Sequence, residues 1–133
     1  MRVFIDTNIL ISAALNPGGT PYNAYVKAVS YPNKGIISDT NMDELRRIFN
    51  RKFPNKLAAL DTFLSIALMT IELVSTPEEQ AESEGRIRDV KDRPILRAAI
   101  AADADIILTG DKDFLESRIE KPKPLTAAEF LKL

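Results

Sequence analysis

An α/β fold built on a mainly parallel sheet is predicted by three features of this chain. Short apolar runs that read as strands alternate along its length with amphipathic stretches of helical period. Two of those runs end in acidic segments: Val3-Phe4-Ile5 leads into Asp6-Thr7-Asn8, and Ile106-Ile107-Leu108 into Thr109-Gly110-Asp111-Lys112-Asp113. There is no internal repeat, low-complexity tract or interdomain linker, so 133 residues read as one domain, 1–133, with one core. In an open parallel sheet ligands sit beyond the carboxyl ends of the strands. Two strands ending in carboxylates would therefore direct negative charge into one crevice, which favours cations.

Taken in order, residues 2 to 6 form a buried strand and residues 8 to 15 a helix, which Asn16-Pro17-Gly18-Gly19 stops. Thr20-Pro21 opens a second helix to about Ser30, with threonine as the cap and proline in the first turn. Gly35 to Ser38 is a second strand. Met42, Leu45, Ile48 and Phe49 recur at helical spacing over about Thr40 to Arg51, and Pro54 breaks the run. Leu57, Leu60, Leu64, Ala67 and Leu68 mark another amphipathic helix. Ile71 to Val74 reads as a third strand, and the glutamate-rich stretch Thr76 to Glu84 as helix or exposed loop. Asp92-Arg93-Pro94 opens a helix whose stripe of Ile95, Ala98, Ala99 and Ala102 is small enough to pack closely on a sheet. Ile106 to Leu108 is the fourth strand. From Pro122 the chain reads as a short strand or connector, then a last helix with Thr126 and Glu129 as its capping box.

Composition narrows the chemistry. No cysteine is present, which removes disulfides and thiolate metal sites, and no histidine, which removes Ser-His-Asp and Cys-His catalysis and imidazole-bound zinc. Carboxylates dominate what remains. The formal charge of −1 exerts no global pull on nucleic acid, so such binding must come from local clusters of arginine and lysine. Residues after Met1-Arg2 enter a strand rather than a signal peptide, and no apolar run reaches membrane-spanning length. A cytoplasmic protein without a membrane partner is the expectation.

Each acid also has an ordinary structural explanation. Asp6 and Asp111 sit where helices begin and would serve as caps, and Asp113 would decorate a first turn. Glu44 lies three residues before Arg47 and seven before Arg51, along one helical stripe, where a solvated ion pair is the usual outcome. Asp92 would cap the helix that Pro94 enters, and Asp89 lies one turn away.

The constellation as a whole resembles the PIN-domain family, and in particular the small bacterial VapC-like toxins. Four segments carry the resemblance in the expected order: Phe4-Ile5-Asp6-Thr7-Asn8-Ile9-Leu10, Ser38 to Leu45 with Asp43-Glu44-Leu45, Asp89 to Ala99 with Lys91-Asp92-Arg93-Pro94-Ile95-Leu96, and Leu108-Thr109-Gly110-Asp111-Lys112-Asp113-Phe114. The resemblance implies a three-layer α/β/α PIN-like fold with a mainly parallel central sheet of four to five strands. It also implies a ribonuclease in which Asp6, Glu44, Asp92 and Asp111 hold one or two Mg²⁺ or Mn²⁺ ions, with Asp113 as an auxiliary ligand. Asp89 competes with Asp92 for the third position, because Arg93-Pro94 separate Asp92 from the alanine-rich helix that the simpler family pattern places directly after the acid. Thr7, Asn8 and Thr109 would support the ligands through hydrogen bonds. A cognate antitoxin is the implied protein partner, with a homodimer as a further assembly.

Physical chemistry agrees with that implication. Oxygen-only ligands suit Mg²⁺ or Mn²⁺, which keep waters beside a few carboxylates. In two-ion sites about 4 Å apart both the attacking and the departing oxygen of an in-line displacement are stabilised. Basic residues cluster on both sides of the acids, and Arg47, Arg51, Lys52 and Arg93 are the candidates for RNA phosphates, against the alternative of a solvated, salt-bridged face. Tyr22, Tyr25 and Tyr31 could stack unpaired bases, or Tyr22 and Tyr25 could belong to the core. Two rival functions remain: a PIN-like RNA- or protein-binding module without activity, and a haloacid-dehalogenase-type phosphatase. The latter requires a second aspartate two residues after the first, where this chain has Asn8.

Overall fold

A computed structural model describes residues 1–133. Five strands, β1 (Arg2–Ile5), β2 (Lys34–Ser38), β3 (Glu72–Val74), β4 (Ile106–Leu108) and β5 (Lys123–Leu125), form one parallel sheet in the order β3-β2-β1-β4-β5. Seven α-helices connect or follow them: α1 (Thr7–Leu15), α2 (Thr20–Val29), α3 (Asp39–Lys52), α4 (Leu57–Ala67), α5 (Arg93–Ala101), α6 (Lys112–Leu115) and α7 (Ala127–Leu131). Consecutive strands run outward from β1 to β3 on one side, then the chain crosses back to place β4 on the other side of β1. The sheet's topological switch point therefore lies between β1 and β4, the two strands that end in aspartate segments.

Side chains alternate across the pleat, and both faces are covered, so the continuous apolar runs are explained. Val3, Ile5, Ile37 and Leu108 face a core shared with Leu10, Leu45, Phe49, Leu64 and Phe130 of the surrounding helices. Phe4, Ile36 and Ile107 point the other way, against Ile95, Leu96, Ala98 and Ala99 of α5 and Phe114 of α6. Phe4, Phe49, Phe114 and Phe130 are wholly buried, each worth roughly 1.5–3 kcal/mol over exposure. The result is the three-layer α/β/α arrangement with a parallel central sheet. The small stripe on α5 packs as expected, with Ala102 at its margin.

Local signals account for most boundaries. Ser38 caps α3 in a reciprocal capping box with Asn41, and Thr126 caps α7 in one with Glu129. Gly19, not Thr20, occupies the cap position of α2, because the extended backbone at Gly19 (φ −74°, ψ 172°) lets Thr20 enter the first turn beside Pro21. Most of the glutamate-rich stretch is irregular. It closes in a single 3-10 turn, Glu82–Arg86, where Glu84 is buried by a two-pronged pairing with Arg97 (Nε and Nη2 each 2.9 Å) while Arg97 Nη1 donates to the Pro77 carbonyl at 3.1 Å. That pairing fastens the segment to α5, and no helical period announces it. No helix is long and apolar enough to cross a membrane.

Candidate metal centre

The acids converge at the carboxyl edge of β1, β2 and β4. Asp6 follows β1 directly and caps α1: Oδ1 accepts from the Thr7 N–H at 2.8 Å, and Oδ2 accepts from the Thr109 hydroxyl at 2.7 Å. Thr109, fully buried just past β4, accepts with the same oxygen from the Asp111 N–H at 3.0 Å. A single hydroxyl thus ties the acid after β1 to the turn after β4. Asp111 caps α6, its Oδ1 accepting from the Asp113 N–H at 2.9 Å, and Asn8 Oδ1 accepts from the Gly110 N–H at 3.5 Å. For Asp6 and Asp111 the capping role and the clustered position coexist, because a carboxylate has more acceptor sites than one cap uses.

The α3 side is built from β2 outward. Buried Asn41 accepts from the Ser38 N–H (2.7 Å) and hydroxyl (3.0 Å) while its Nδ2 donates to Thr7 Oγ1 at 2.9 Å, which locks the start of α3 to the start of α1. Glu44, three residues on and so on the same side of the helix, is half-buried, and its Oε1 is enclosed with no hydrogen-bond partner. Asp92 enters from the far side at the junction of a 3-10 turn (Val90–Asp92) and α5. Its backbone is already helical (φ −88°, ψ −13°) and its side chain makes no capping bond, so the capping explanation does not apply to it.

Crowded carboxylates resist ionisation together. Burial raises Asp6 from 3.8 to about 6, with the charges of Glu44 and Asp111 adding to the effect and the bonds from Thr109 and Thr7 opposing it. Asp92 is pushed up to about 8, first by burial and then by its hydrogen bond and charge interaction with Asp111, with Asp6 and Asp89 contributing. Burial also raises Glu44, against the pull of Arg47 and then of the nearby Thr7 hydroxyl, which does not meet the enclosed Oε1 in hydrogen-bonding geometry. Carboxylate oxygens of Asp89, Asp92 and Asp113 lie within 4.8 Å of one another. Asp92 is the one acid this trio shares with Asp6, Glu44 and Asp111, Asp89 stands beside it, and Asp113 is additionally held by Arg88 (Nη2 2.9 Å, Nε 3.0 Å), which also pairs with Glu116.

A cation would satisfy what the protein leaves unsatisfied. The donors are all hard oxygens, the enclosed Glu44 oxygen lacks a proton donor, and the mutual repulsion of the acids is of the kind a divalent ion relieves. These residues fit Mg²⁺ or Mn²⁺.

Beside them opens a cleft of about 570 Å³ without a single hydrophobic wall residue. Glu44, Asp89 and Asp92 form its acidic side, Arg47, Arg51 and Lys91 its basic side, and Thr40 the neutral remainder. Lys52 and Arg93 lie outside this lining, and Arg93 Nε donates to the Ile87 carbonyl at 3.0 Å. The tyrosines are elsewhere. Tyr25 is buried against Phe63 (ring centroids 5.0 Å apart), Tyr22 lies beside it in an apolar groove with Ala13 and Ile66, and Tyr31 is exposed. Sequence reasoning misses Asn41 and Thr40, and it sees Arg88 and Lys91 only as members of a basic cluster. For Asn41 a signal existed, since Ser38 and Asn41 have capping-box spacing with asparagine in place of glutamate; Thr40 and Arg88 acquire their positions only through the fold.

A family model described as PIN domain matches residues 2–113. The uncharacterized protein MJ1680 of Methanocaldococcus jannaschii is 28% identical over 125 residues, covering 90% of this chain and 77% of that protein. Among solved structures, a chain of the crystal structure of VapBC2 from Rickettsia felis bound to a DNA fragment from their promoter superposes with a TM-score of 0.71 at 23% identity, covering 95% of this chain and 98% of that one. The strand order, the carboxylates gathered at the switch point and the match across residues 2–113 agree, and the chain belongs to the PIN-domain family.

Proposed function

We propose that this protein is a Mg²⁺- or Mn²⁺-dependent endoribonuclease and the toxin component of a toxin–antitoxin pair. The observation that carries the nuclease reading is the convergence of Asp6, Glu44, Asp92 and Asp111 on one edge, with an enclosed, unpartnered oxygen on Glu44. Asp6, Glu44, Asp92 and Asp111 would hold the metal, with Asp113 and Asp89 at its margin. Bound there, a divalent ion supplies an activated water and neutralises charge that develops on the phosphate. The chain supplies the rest. Thr7 and Thr109 orient Asp6, and Asn8 steadies the turn at Gly110. Arg47, Arg51 and Lys91 would seat the phosphates flanking the scissile one, which positions the strand for in-line attack; Lys52 and Arg93, outside the cleft lining, would serve a longer RNA only.

The toxin reading rests on family membership and on likeness in fold to a chain of the VapBC2 crystal structure. An antitoxin partner and a homodimer belong to this same proposal, as does a cytoplasmic location. Purified protein should cleave single-stranded or loop RNA with Mg²⁺ or Mn²⁺ and stop with a chelator. Asp6→Asn and Asp111→Asn should each remove most activity while remaining folded by circular dichroism. Expression of the wild type should arrest growth, and expression of Asp111→Asn should not. Chelator-resistant cleavage, or full activity in both folded variants, would defeat the nuclease reading.

A further inference from the structure

Three residues at the rim of the cleft form a hydrogen-bonded chain whose direction can be assigned. Asp39 Oδ1 accepts from the Thr76 hydroxyl at 2.6 Å, as well as from the N–H groups of Thr76 and Thr40 at 2.9 Å each. These bonds, the Thr76 hydroxyl foremost, hold the Asp39 carboxyl below its ordinary range, so it is an ionised acceptor. Thr40 Oγ1 lies 2.8 Å from Thr76 Oγ1. A hydroxyl has one proton to give, and Thr76 gives its proton to Asp39. Thr40 must therefore donate to Thr76, and Thr40 Oγ1 keeps only acceptor capacity for anything in the cleft that it lines.

What would meet such an acceptor follows from the other walls. Arg47, Arg51 and Lys91 can only donate, which suits phosphate oxygens, and the acids suit cations. No aromatic or aliphatic side chain lines the cleft, and its three cations suit phosphates, so a bound strand would run through it chiefly by its sugar–phosphate backbone. Within that backbone the phosphate and ring oxygens only accept. The 2′-hydroxyl of ribose is the one donor, and DNA lacks it.

We propose that Thr40 is a substrate-contacting residue that accepts a hydrogen bond from a ribose 2′-hydroxyl, so that the cleft distinguishes RNA from DNA through the sugar. This rests on the reading of the cleft as an RNA-cleaving site. Two oligonucleotides of one sequence provide the test, one all-ribose and one all-2′-fluoro; fluorine retains an RNA-like sugar pucker but cannot donate. Binding is read by fluorescence anisotropy in chelator, and cleavage separately in Mn²⁺. The wild type should bind the ribose strand about three- to tenfold more tightly than the fluoro strand, the worth of one hydrogen bond. Thr40→Val should lose that preference through weaker binding of the ribose strand, and Thr40→Ser should keep it.

No preference in the wild type, or an equal loss on both strands in Thr40→Val, overturns the proposal. A Thr40-dependent ribose preference without metal-dependent cleavage would refute the nuclease reading and leave this one standing. Metal-dependent cleavage with equal losses on both strands would do the reverse, and a protein that neither binds nor cleaves RNA overturns both.

Discussion

At the scale of single residues, Asp111 shows how one side chain carries two roles that substitution can separate. Its Oδ1 accepts the Asp113 N–H, and its charge lies against Asp92 and Asp6. Asparagine retains an acceptor oxygen for the cap and removes the charge. Asp111→Asn should therefore melt higher than the wild type in chelator near neutral pH, because like-charge repulsion is relieved while α6 keeps its cap. Added Mn²⁺ should raise the wild type more than the variant and close or reverse the gap, since a ligand bound to the folded state stabilises it in proportion to its affinity. Thermal melts with and without Mn²⁺ decide it: a variant less stable in chelator and equally responsive to Mn²⁺ would reduce Asp111 to a capping residue.

At the scale of an element, α3 delivers an acid and two cations to the same cleft. Glu44, Arg47 and Arg51 are spaced by three and four residues, so they lie along one helical stripe, and all three line the cleft wall. Arg46, one position off the stripe, points instead toward Asp61 at 4.0 Å. Replacing Arg47 and Arg51 together by alanine should weaken RNA binding and reduce the slope of log affinity against log salt by about one phosphate contact per arginine. Mn²⁺ affinity, read by the same thermal shift, should barely change. An unaltered salt slope would return this face of α3 to an ordinary solvated surface. Across the cleft, the arginines just before α5 and within it are mostly committed to the protein itself: Arg88 to Asp113 and Glu116, Arg93 to the Ile87 carbonyl, Arg97 to Glu84. Lys91 alone of that cluster joins the cleft lining together with Arg47 and Arg51.

Over the whole molecule, gathering acids from remote points of the chain links stability to pH. Asp6 and Asp92 hold their protons up to about 6 and about 8 in the folded protein, against an ordinary value of 3.8. Between those limits the native state binds more protons than the unfolded chain, so its stability falls as pH rises. This contribution is complete below the unfolded value and is lost as pH climbs through both folded values. With no histidine in the chain, the side chain that ordinarily titrates in this range is absent. The metal-free melting temperature should decline from about pH 5 to about pH 8, and saturating Mn²⁺ should flatten or reverse the trend. A level profile without metal would mean that the carboxylates do not crowd one another in solution.

Much of this is legible in the amino-acid sequence alone. The apolar runs of β1 and β4, the α5 stripe, the Thr126 to Glu129 capping box and the acid motifs depend on spacing along the chain, and spacing is a property of sequence. So is the family, whose motifs are short and ordered. What only the tertiary structure decided involves partners distant in sequence. Thr109 grips Asp6 from the end of another strand, Asn41 reaches Thr7, and Thr76 sets the direction of the Thr40 hydroxyl. Asp92 reads in the sequence as a cap, but its backbone is helical and its side chain makes no capping bond, and Tyr25 is core because Phe63 packs against it. Local propensity and period act over a few neighbouring residues, whereas hydrogen bonding, desolvation and charge repulsion act through space. Whether a carboxylate caps, pairs or joins a cluster is settled only when the sheet order brings the ends of β1, β2 and β4 together.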